Sequence, residues 1–426
     1  MYSQDTSCMI IREIENKINE SLKKQEVTIV AGARQVGKTT LLKHIISKLK
    51  GRGEKVLYLN LDIEEDSKYF ASQQLLINKI ALENGEGASY VFIDEIQQKE
   101  DAGRFLKGIF DMNLPYKFVV TGSGSLELKE KIGEALTGRK HLIEMYPVSF
   151  SEFINYKTGY KYKNKLELFF EIETEKTRLL LNEYLTFGGY PAVITANSTN
   201  EKREIMNEIF NSYITRDITY LLGVRAPDKF IKLIQLLAVY QGSIINYSQL
   251  AQETGLRTET LKTYLWYAEQ TFIIKTVRPY FTNGRKEITK SPVIYFNDLG
   301  MCNFSKGMYG TATASNSGMT FQNFIYLILR KHDTEGLAKV NYWRSKDKAE
   351  VDFILHRETE IIPVEVKYSD IKRATVSRSF RSFINAYSPK TGYIVTPGYR
   401  NEITIGKTHA RFMPFWKLFF KKPGSN

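Results

Sequence analysis

Val27-Thr28-Ile29-Val30-Ala31-Gly32-Ala33-Arg34-Gln35-Val36-Gly37-Lys38-Thr39-Thr40 reads as a short β-branched strand, a loop bounded by two glycines, and the start of a helix that continues from Leu41 to Leu49. The loop has the spacing G-x-x-x-x-G-K-T, and a strand before it with a helix after it is the setting in which that spacing forms a phosphate site. Gly32 and Gly37 let the chain fold back, so that the N–H groups of Ala33, Arg34, Gln35 and Val36 face inward around phosphate oxygens. The helix N-terminus, with Lys38, Thr39 and Thr40 in its first turn, adds partial positive charge at the same point. Lys38 reaches the β- and γ-phosphates, and the Thr39 hydroxyl is placed to ligate Mg²⁺. The stretch implies binding of a nucleoside triphosphate.

Tyr90-Val91-Phe92-Ile93-Asp94-Glu95-Ile96 supplies the complementary half. It is an apolar run of strand length without alternation, which indicates a strand buried on both faces. Ligand-binding residues of parallel sheets sit at the carboxyl ends of strands. Asp94 is therefore expected to hold Mg²⁺ and Glu95 to polarise the attacking water. A further strand, Tyr116 to Val120, ends in Thr121-Gly122-Ser123-Gly124-Ser125, whose hydroxyls either face the γ-phosphate or form an ordinary turn. Arg139, in Leu136-Thr137-Gly138-Arg139, could be offered to a neighbouring molecule's γ-phosphate as a transition-state stabiliser.

A chain of 426 residues exceeds one hydrophobic core and points to about three domains. With 42% hydrophobic residues it is not disordered. Sixty Lys+Arg against 47 Asp+Glu give a net charge of +13, which favours a polyanionic partner, nucleic acid before a membrane surface. Two cysteines, Cys8 and Cys302, exclude a disulfide framework or a cysteine metal cluster and fit a reducing cytoplasm. No apolar run approaches the ~18 residues of a spanning helix. The basic aromatic tail Phe412 to Lys422 reads as a final strand packed on the last domain rather than a membrane-surface segment.

Strands at Val27, Val56–Leu61, Tyr90–Ile93 and Lys117–Val120 alternate with helical stretches, so residues 1–147 are expected to form a parallel sheet covered by helices. Residues 148–225 are helix-rich and aromatic, as in a helical lid. From 226 to 299 come a helix (Phe230–Tyr240), a short helix (Gln249–Glu253), a turn at Gly255 and a helix from Arg257, followed by a hairpin turning at Asn283-Gly284. This is the layout of a winged helix, with Arg257, Thr258, Thr260, Lys262 and Thr263 as outward DNA-contact candidates. Residues 300–426 place a helix (Thr320–His332) before strands carrying Asp352 and the pair Glu365, Lys367. Carboxylate, then carboxylate-x-lysine, is the donor set of a Mg²⁺-dependent phosphodiester site. The expected fold class is α/β: a parallel-sheet domain with a helical lid, a winged-helix domain and a C-terminal α/β domain.

These motifs, taken in order, resemble the prokaryotic AAA+-type P-loop ATPases that carry a C-terminal domain of unknown function. The resemblance runs through Gly32 to Thr39, Phe92 to Gln97, Val120 to Ser123, Leu136 to Arg139, Tyr146 to Phe153, Gly188 to Pro191, Tyr213 to Ile218, Glu350 to Phe353 and Pro363 to Lys367. It implies ATP with Mg²⁺ at Lys38, Thr39, Asp94 and Glu95, Ser123 as sensor, Arg139 as finger, a winged helix, and a restriction-endonuclease-like PD-(D/E)xK core. Relatives of that core often have an acid where Gln322 stands here, and an amide is a poorer Mg²⁺ ligand. The expectation is an ATP-driven, DNA-associated motor or remodeller working as a homo-oligomer such as a ring. Its last domain is expected to hold duplex or branched DNA with weak cleavage or none. The alternatives are an ATP-gated nuclease and an ATP-dependent switch acting on a protein partner.

Overall fold

The computed structural model describes residues 9–123, 136–221, 223–281, 284–315, 317–334, 336, 338–357, 360–369 and 371–420. Strands β1 (Val27–Gly32), β2 (Val56–Asn60), β3 (Ser89–Asp94), β4 (Tyr116–Ser123) and β5 (Lys140–Met145) form one parallel sheet in the order β2-β3-β4-β1-β5. All six residues of β1 are buried, because helices cover both faces and leave no solvent side to enforce alternation. Sequence reading anticipates β1 to β4 but not β5, an edge strand with half its residues only partly covered. Its arrival explains Gly32: a Cβ there would lie 2.2 Å from the Met145 carbonyl oxygen. Of the two loop glycines, only Gly37 is needed for its backbone angle, with φ at +95°.

Helices follow at Phe150–Lys157, Leu166–Ile172, Thr174–Phe187, Pro191–Thr195 and Thr199–Ser212, and the last continues into the wider π-type winding of Tyr213–Leu221. Ser149 and Glu152 close a capping box on the first of them. Next come Pro227–Val239, Tyr247–Thr254 and Thr258–Gln270, with the turn between the last two closed by Gly255 at φ +65°. Strands β6 (Ile274–Val277) and β7 (Val293–Phe296) pair antiparallel, and Ile244 bridges to Val293. The hairpin expected here is not a simple one. Gly284–Thr289 is a helix, β7 starts three residues later than Lys290, and Asn283 lies outside the described residues. The physical reason lies in Arg278-Pro279-Tyr280, which is drawn onto the edge of the last sheet. Pro279 bridges to Tyr342, whose N–H donates to the Arg278 carbonyl at 3.1 Å.

The last sheet contains β8 (Lys339–Arg344), β9 (Glu350–Arg357), β10 (Glu360–Val366), β11 (Thr391–Thr396), β12 (Asn401–Ile405) and β13 (Thr408–Pro414) in the order β12-β13-β11-β10-β9-β8. Helices Gly318–Thr334 and Arg378–Tyr387 pack on it. The aromatic tail is spent internally: Phe415 and Trp416 are buried, and Phe415 meets Phe150 at 5.7 Å and Phe324 at 5.3 Å between ring centroids. The division expected at residue 300 falls inside the helix Leu299–Ser305, which packs on Thr174–Phe187 through Asn303 Nδ2 to the Leu185 and Thr186 carbonyls.

Asp298 fastens that junction. It accepts from the N–H groups of Gly189 at 2.6 Å and Met301 at 2.7 Å, and a Cβ on Gly188 would lie 2.5 Å from its Oδ1. Burial pushes its carboxyl up from 3.8 to about 6, with the N–H groups of Gly189, Met301 and Gly300 opposing. An acid raised in the folded state stabilises the fold fully below its unfolded value and loses that contribution as pH rises through 6. Asp298→Ala should cost about 2–5 kcal/mol by stranding buried donors. The gap in urea midpoint from the parent should be wider at pH 5 than at pH 8, and equal gaps would refute this account.

Candidate nucleotide-binding site

Because β1, β3 and β4 are adjacent and parallel, their carboxyl ends deliver the phosphate loop, Asp94-Glu95 and Ser123 to one place. The loop enters the helix Lys38–Lys50 through Gly37, and Gln35 also has positive φ, at +59°. Lys38 is buried and donates to the carbonyls of Gly32 at 3.0 Å and Ala33 at 2.8 Å. Burial lowers its pKa despite Glu95, Asp217 and Asp94 nearby. A desolvated ammonium whose surroundings leave it under-compensated is stabilised by a phosphate anion, so the residues fit a nucleotide.

Asp94 is fully buried, and its carboxylate accepts from Thr39 Oγ1 at 2.7 Å, Tyr58 Oη at 3.0 Å and Thr121 Oγ1. Burial, then Asp94, raises the Tyr58 hydroxyl above its ordinary value and keeps it a donor. The hydroxyl of Thr39 beside a carboxylate is an all-oxygen donor set suited to Mg²⁺. Glu95 stands half-buried in the left-handed region at φ +57°, its N–H donating to Thr121 Oγ1 at 3.3 Å and its carboxylate receiving Gln97 Nε2. Thr121 thus ties the two acids together. A non-glycine residue held at that angle is a local strain of the kind found at functional sites.

Arg34 pairs at 2.8 Å with Asp217, in the π-wound segment 213–221, close enough to Lys38 and Glu95 for its charge to be felt there. Burial raises the Asp217 carboxyl, and Arg34 and Lys38 oppose the shift. Arg12 donates Nη1 to the Val36 carbonyl at 2.8 Å. Arg12 and Tyr58 carry no motif signal in the sequence, and Asp217 lies in the Tyr213–Ile218 stretch, which sequence alone does not tie to this site. Ser123 aligns with Gly32 in register at the end of β4, and its side chain lies outside the described residues, as do Gly124 and Ser125. Arg139 does not join the site. It immediately precedes β5, at the opposite end of the sheet, with Nε 2.8 Å from Asp111 Oδ1.

On the helix Thr258–Gln270, Arg257, Lys262 and Thr263 are exposed while Thr258 and Thr260 are half-buried. In the last sheet the pairing of Val364 with Phe353 sets Glu365 opposite Asp352. Asp352 accepts from the Val366 N–H at 2.7 Å, and burial pushes its carboxyl up to about 7. Glu365 is engaged by Lys367 at 2.6 Å and Ser377 at 3.0 Å, and Gln322 Nε2 donates to Tyr295 Oη at 2.9 Å. Among the described residues no group of three or more His, Cys, Asp or Glu side chains could hold a metal. Asp352 and Glu365 are each already engaged, Asp352 by the Val366 N–H and Glu365 by Lys367 and Ser377.

Comparison with known proteins agrees with the geometry of the first sheet. Residues 24–154 match the family described as AAA domain, residues 178–311 a domain of unknown function (DUF8612), and residues 317–418 another (DUF4143). An uncharacterized protein of Methanocaldococcus jannaschii is 26% identical, the match covering 96% of this chain and 90% of that protein. Uncharacterized proteins of Haemophilus influenzae (26%, 80% of this chain and 82% of that one) and Mycobacterium tuberculosis (24%, 92% and 81%) are similar too. Among solved structures, AMPPCP-bound DnaA from Aquifex aeolicus superposes at a TM-score of 0.29 with 14% identity, over 63% of this chain and 93% of that one. A superposition that loose bears on neither mechanism nor partner. Among the described residues no helix is long and apolar enough to cross a membrane. Residues 24–154 are an AAA-type P-loop ATPase domain, joined to two domains that match families of unknown function.

Proposed function

We propose that the chain hydrolyses ATP and couples the turnover to DNA held by its middle and last domains. The observation that carries the catalytic part is the meeting of Lys38, Thr39, Asp94 and Glu95 at the ends of β1 and β3. Lys38 binds and neutralises the terminal phosphates, leaving the Gly32 and Ala33 carbonyls it now holds. Thr39 and Asp94 would hold Mg²⁺, whose charge offsets that building on the phosphate oxygens. Thr121 orients the Asp94 carboxylate and holds the Glu95 backbone. Glu95 polarises the attacking water and accepts its proton at a carboxylate oxygen.

The DNA part rests on the exposed cations Arg257 and Lys262, on a three-helix and two-strand unit that we read as a winged-helix variant, and on the net charge of +13. The last domain runs α-β-β-β-α-β from Gly318–Thr334 to β11, an order consistent with the nuclease-like core we propose for it. We read it as a holding surface and not a cutter, because Lys367 already engages Glu365 and Gln322 adds no carboxylate. Steady-state ATP hydrolysis with single-stranded, duplex and branched DNA tests the reading, using Glu95→Gln as blank. One DNA form should stimulate turnover by about threefold or more. Arg257→Ala with Lys262→Ala should remove the stimulation and flatten its salt dependence by about two charges. Turnover indifferent to every DNA would overturn the coupling and favour the protein-directed switch.

A further inference from the structure

Tyr146 immediately follows β5, and four parts of the chain meet on it. The guanidinium of Arg330, from the last domain's helix Gly318–Thr334, stacks on its ring at 3.6 Å from the centroid. Phe272 of the middle domain meets the ring edge-on at 5.4 Å. The Tyr146 hydroxyl donates to Glu144 Oε2 at 2.7 Å. Its carbonyl accepts from Arg12 Nη2 at 2.6 Å, and the other amino group of Arg12 holds the Val36 carbonyl inside the phosphate loop. Arg12 is buried, with Glu152 at 3.2 Å from its Nε. Arg330 is itself steadied by Asn297 Oδ1 at 2.6 Å, and Asn297 Nδ2 donates to the Phe272 and Ile274 carbonyls.

We infer that Arg12 and Arg330 are positioning residues of the nucleotide site, Arg330 acting from the last domain through Tyr146 and Arg12 on the phosphate loop. The inference rests on reading that loop as the ATP site. Val36 immediately precedes Gly37, whose left-handed angle sets the loop's final turn, so its carbonyl is a lever on the loop's shape. A carbonyl at such a position needs a donor, and Arg12 supplies it. Removing Arg330 frees the Tyr146 ring, loosens the carbonyl that holds Arg12, and leaves the loop to be ordered by the ligand itself. That ordering is charged against binding. Asp94, Thr121 and Glu95 lie outside the relay, so the chemical step is spared.

The test is the Kd of a fluorescent ATP analogue together with kcat and KM for ATP. Arg330→Ala and Tyr146→Leu should each weaken binding and raise KM about 3–10-fold, the scale of a half-buried cation–π contact, with kcat within about twofold. Tyr146→Phe, which keeps the ring and the carbonyl, should bind as the parent does, and Arg330→Lys should recover part of the loss. The double variant Arg330→Ala, Tyr146→Leu should be no weaker than either single one, because both cut the same path. Unchanged Kd and KM in a folded Arg330→Ala, or additive losses in the double variant, would overturn the relay while leaving the ATP site standing. A parent protein that fails to bind the analogue would overturn both.

Discussion

Glu95→Gln should give a protein that binds ATP as the parent does and turns it over at least about 100-fold more slowly, the usual worth of a positioned general base. The substitution keeps the shape of the side chain and the backbone held at φ +57°, including the N–H donated to Thr121. The amide cannot take a proton from water. Lys38, Thr39 and Asp94, the proposed contacts to phosphate and metal, are untouched, so affinity should change by less than about threefold. Nucleotide binding and single-turnover hydrolysis measured on the same preparation separate the two effects. A rate within threefold of the parent would remove Glu95 from the mechanism and leave its strained angle without a purpose.

That prediction was within reach of the sequence because its elements are local. The phosphate loop is contiguous, and Asp94-Glu95 closes an apolar run whose length marks a buried strand. What lay out of reach is long-range. Arg12 meets a loop carbonyl 24 residues away, and Arg34 meets Asp217 at a separation of 183. Neither pair leaves a periodic trace in the chain, and Asp217 sits in a π-wound segment that helical periodicity describes poorly. Strand β5 escaped for another reason: an edge position relaxes the demand for apolar residues, and Lys140, His141 and Glu144 satisfy it.

The last domain divides the same way. That Glu365 and Lys367 share a face follows from a strand read two residues at a time, and the place of Asp352 on the strand before it follows from chain order. Their state does not. The pairing of Lys367 with Glu365 and the burial that lifts Asp352 to about 7 arise from packing around the sheet. The middle domain shows how a neighbour can rewrite a local signal. Asn283-Gly284 is a strong turn pair, yet the segment that leads to it is captured by the edge of β8 at Tyr342, and the chain returns through a helix. The exposed edge thereby gains a cover, which is one way sheets avoid pairing with other molecules.

Arg139→Ala should leave ATP binding unchanged and lower turnover by about tenfold or more, and the parent's specific activity should rise with protein concentration while the variant's does not. Geometry rules out a contact within one chain. β5 runs parallel to β1, and Arg139 precedes its first residue, so the guanidinium lies beyond the amino end of a sheet whose carboxyl end holds the phosphates. Six residues of strand at ~3.3 Å each put roughly 20 Å between the two, beyond the reach of any side chain. We therefore propose that Arg139 serves a phosphate bound by another copy of the chain, in a ring or other head-to-tail assembly where one molecule's amino edge faces the next one's site. Its present partner, Asp111, is as exposed as Arg139 itself, and an exposed pair of this kind is worth at most about 1 kcal/mol. A γ-phosphate in the transition state would outcompete it, and an arginine supplied in trans contributes about 10³-fold where such enzymes depend on it. Mixing Arg139→Ala with Glu95→Gln gives the decisive measurement. Each variant is nearly inactive alone, but a mixed assembly joins an intact Glu95 site to an intact Arg139 from its neighbour and should regain part of the activity. No recovery on mixing, from variants shown to assemble, would place Arg139 outside the reaction.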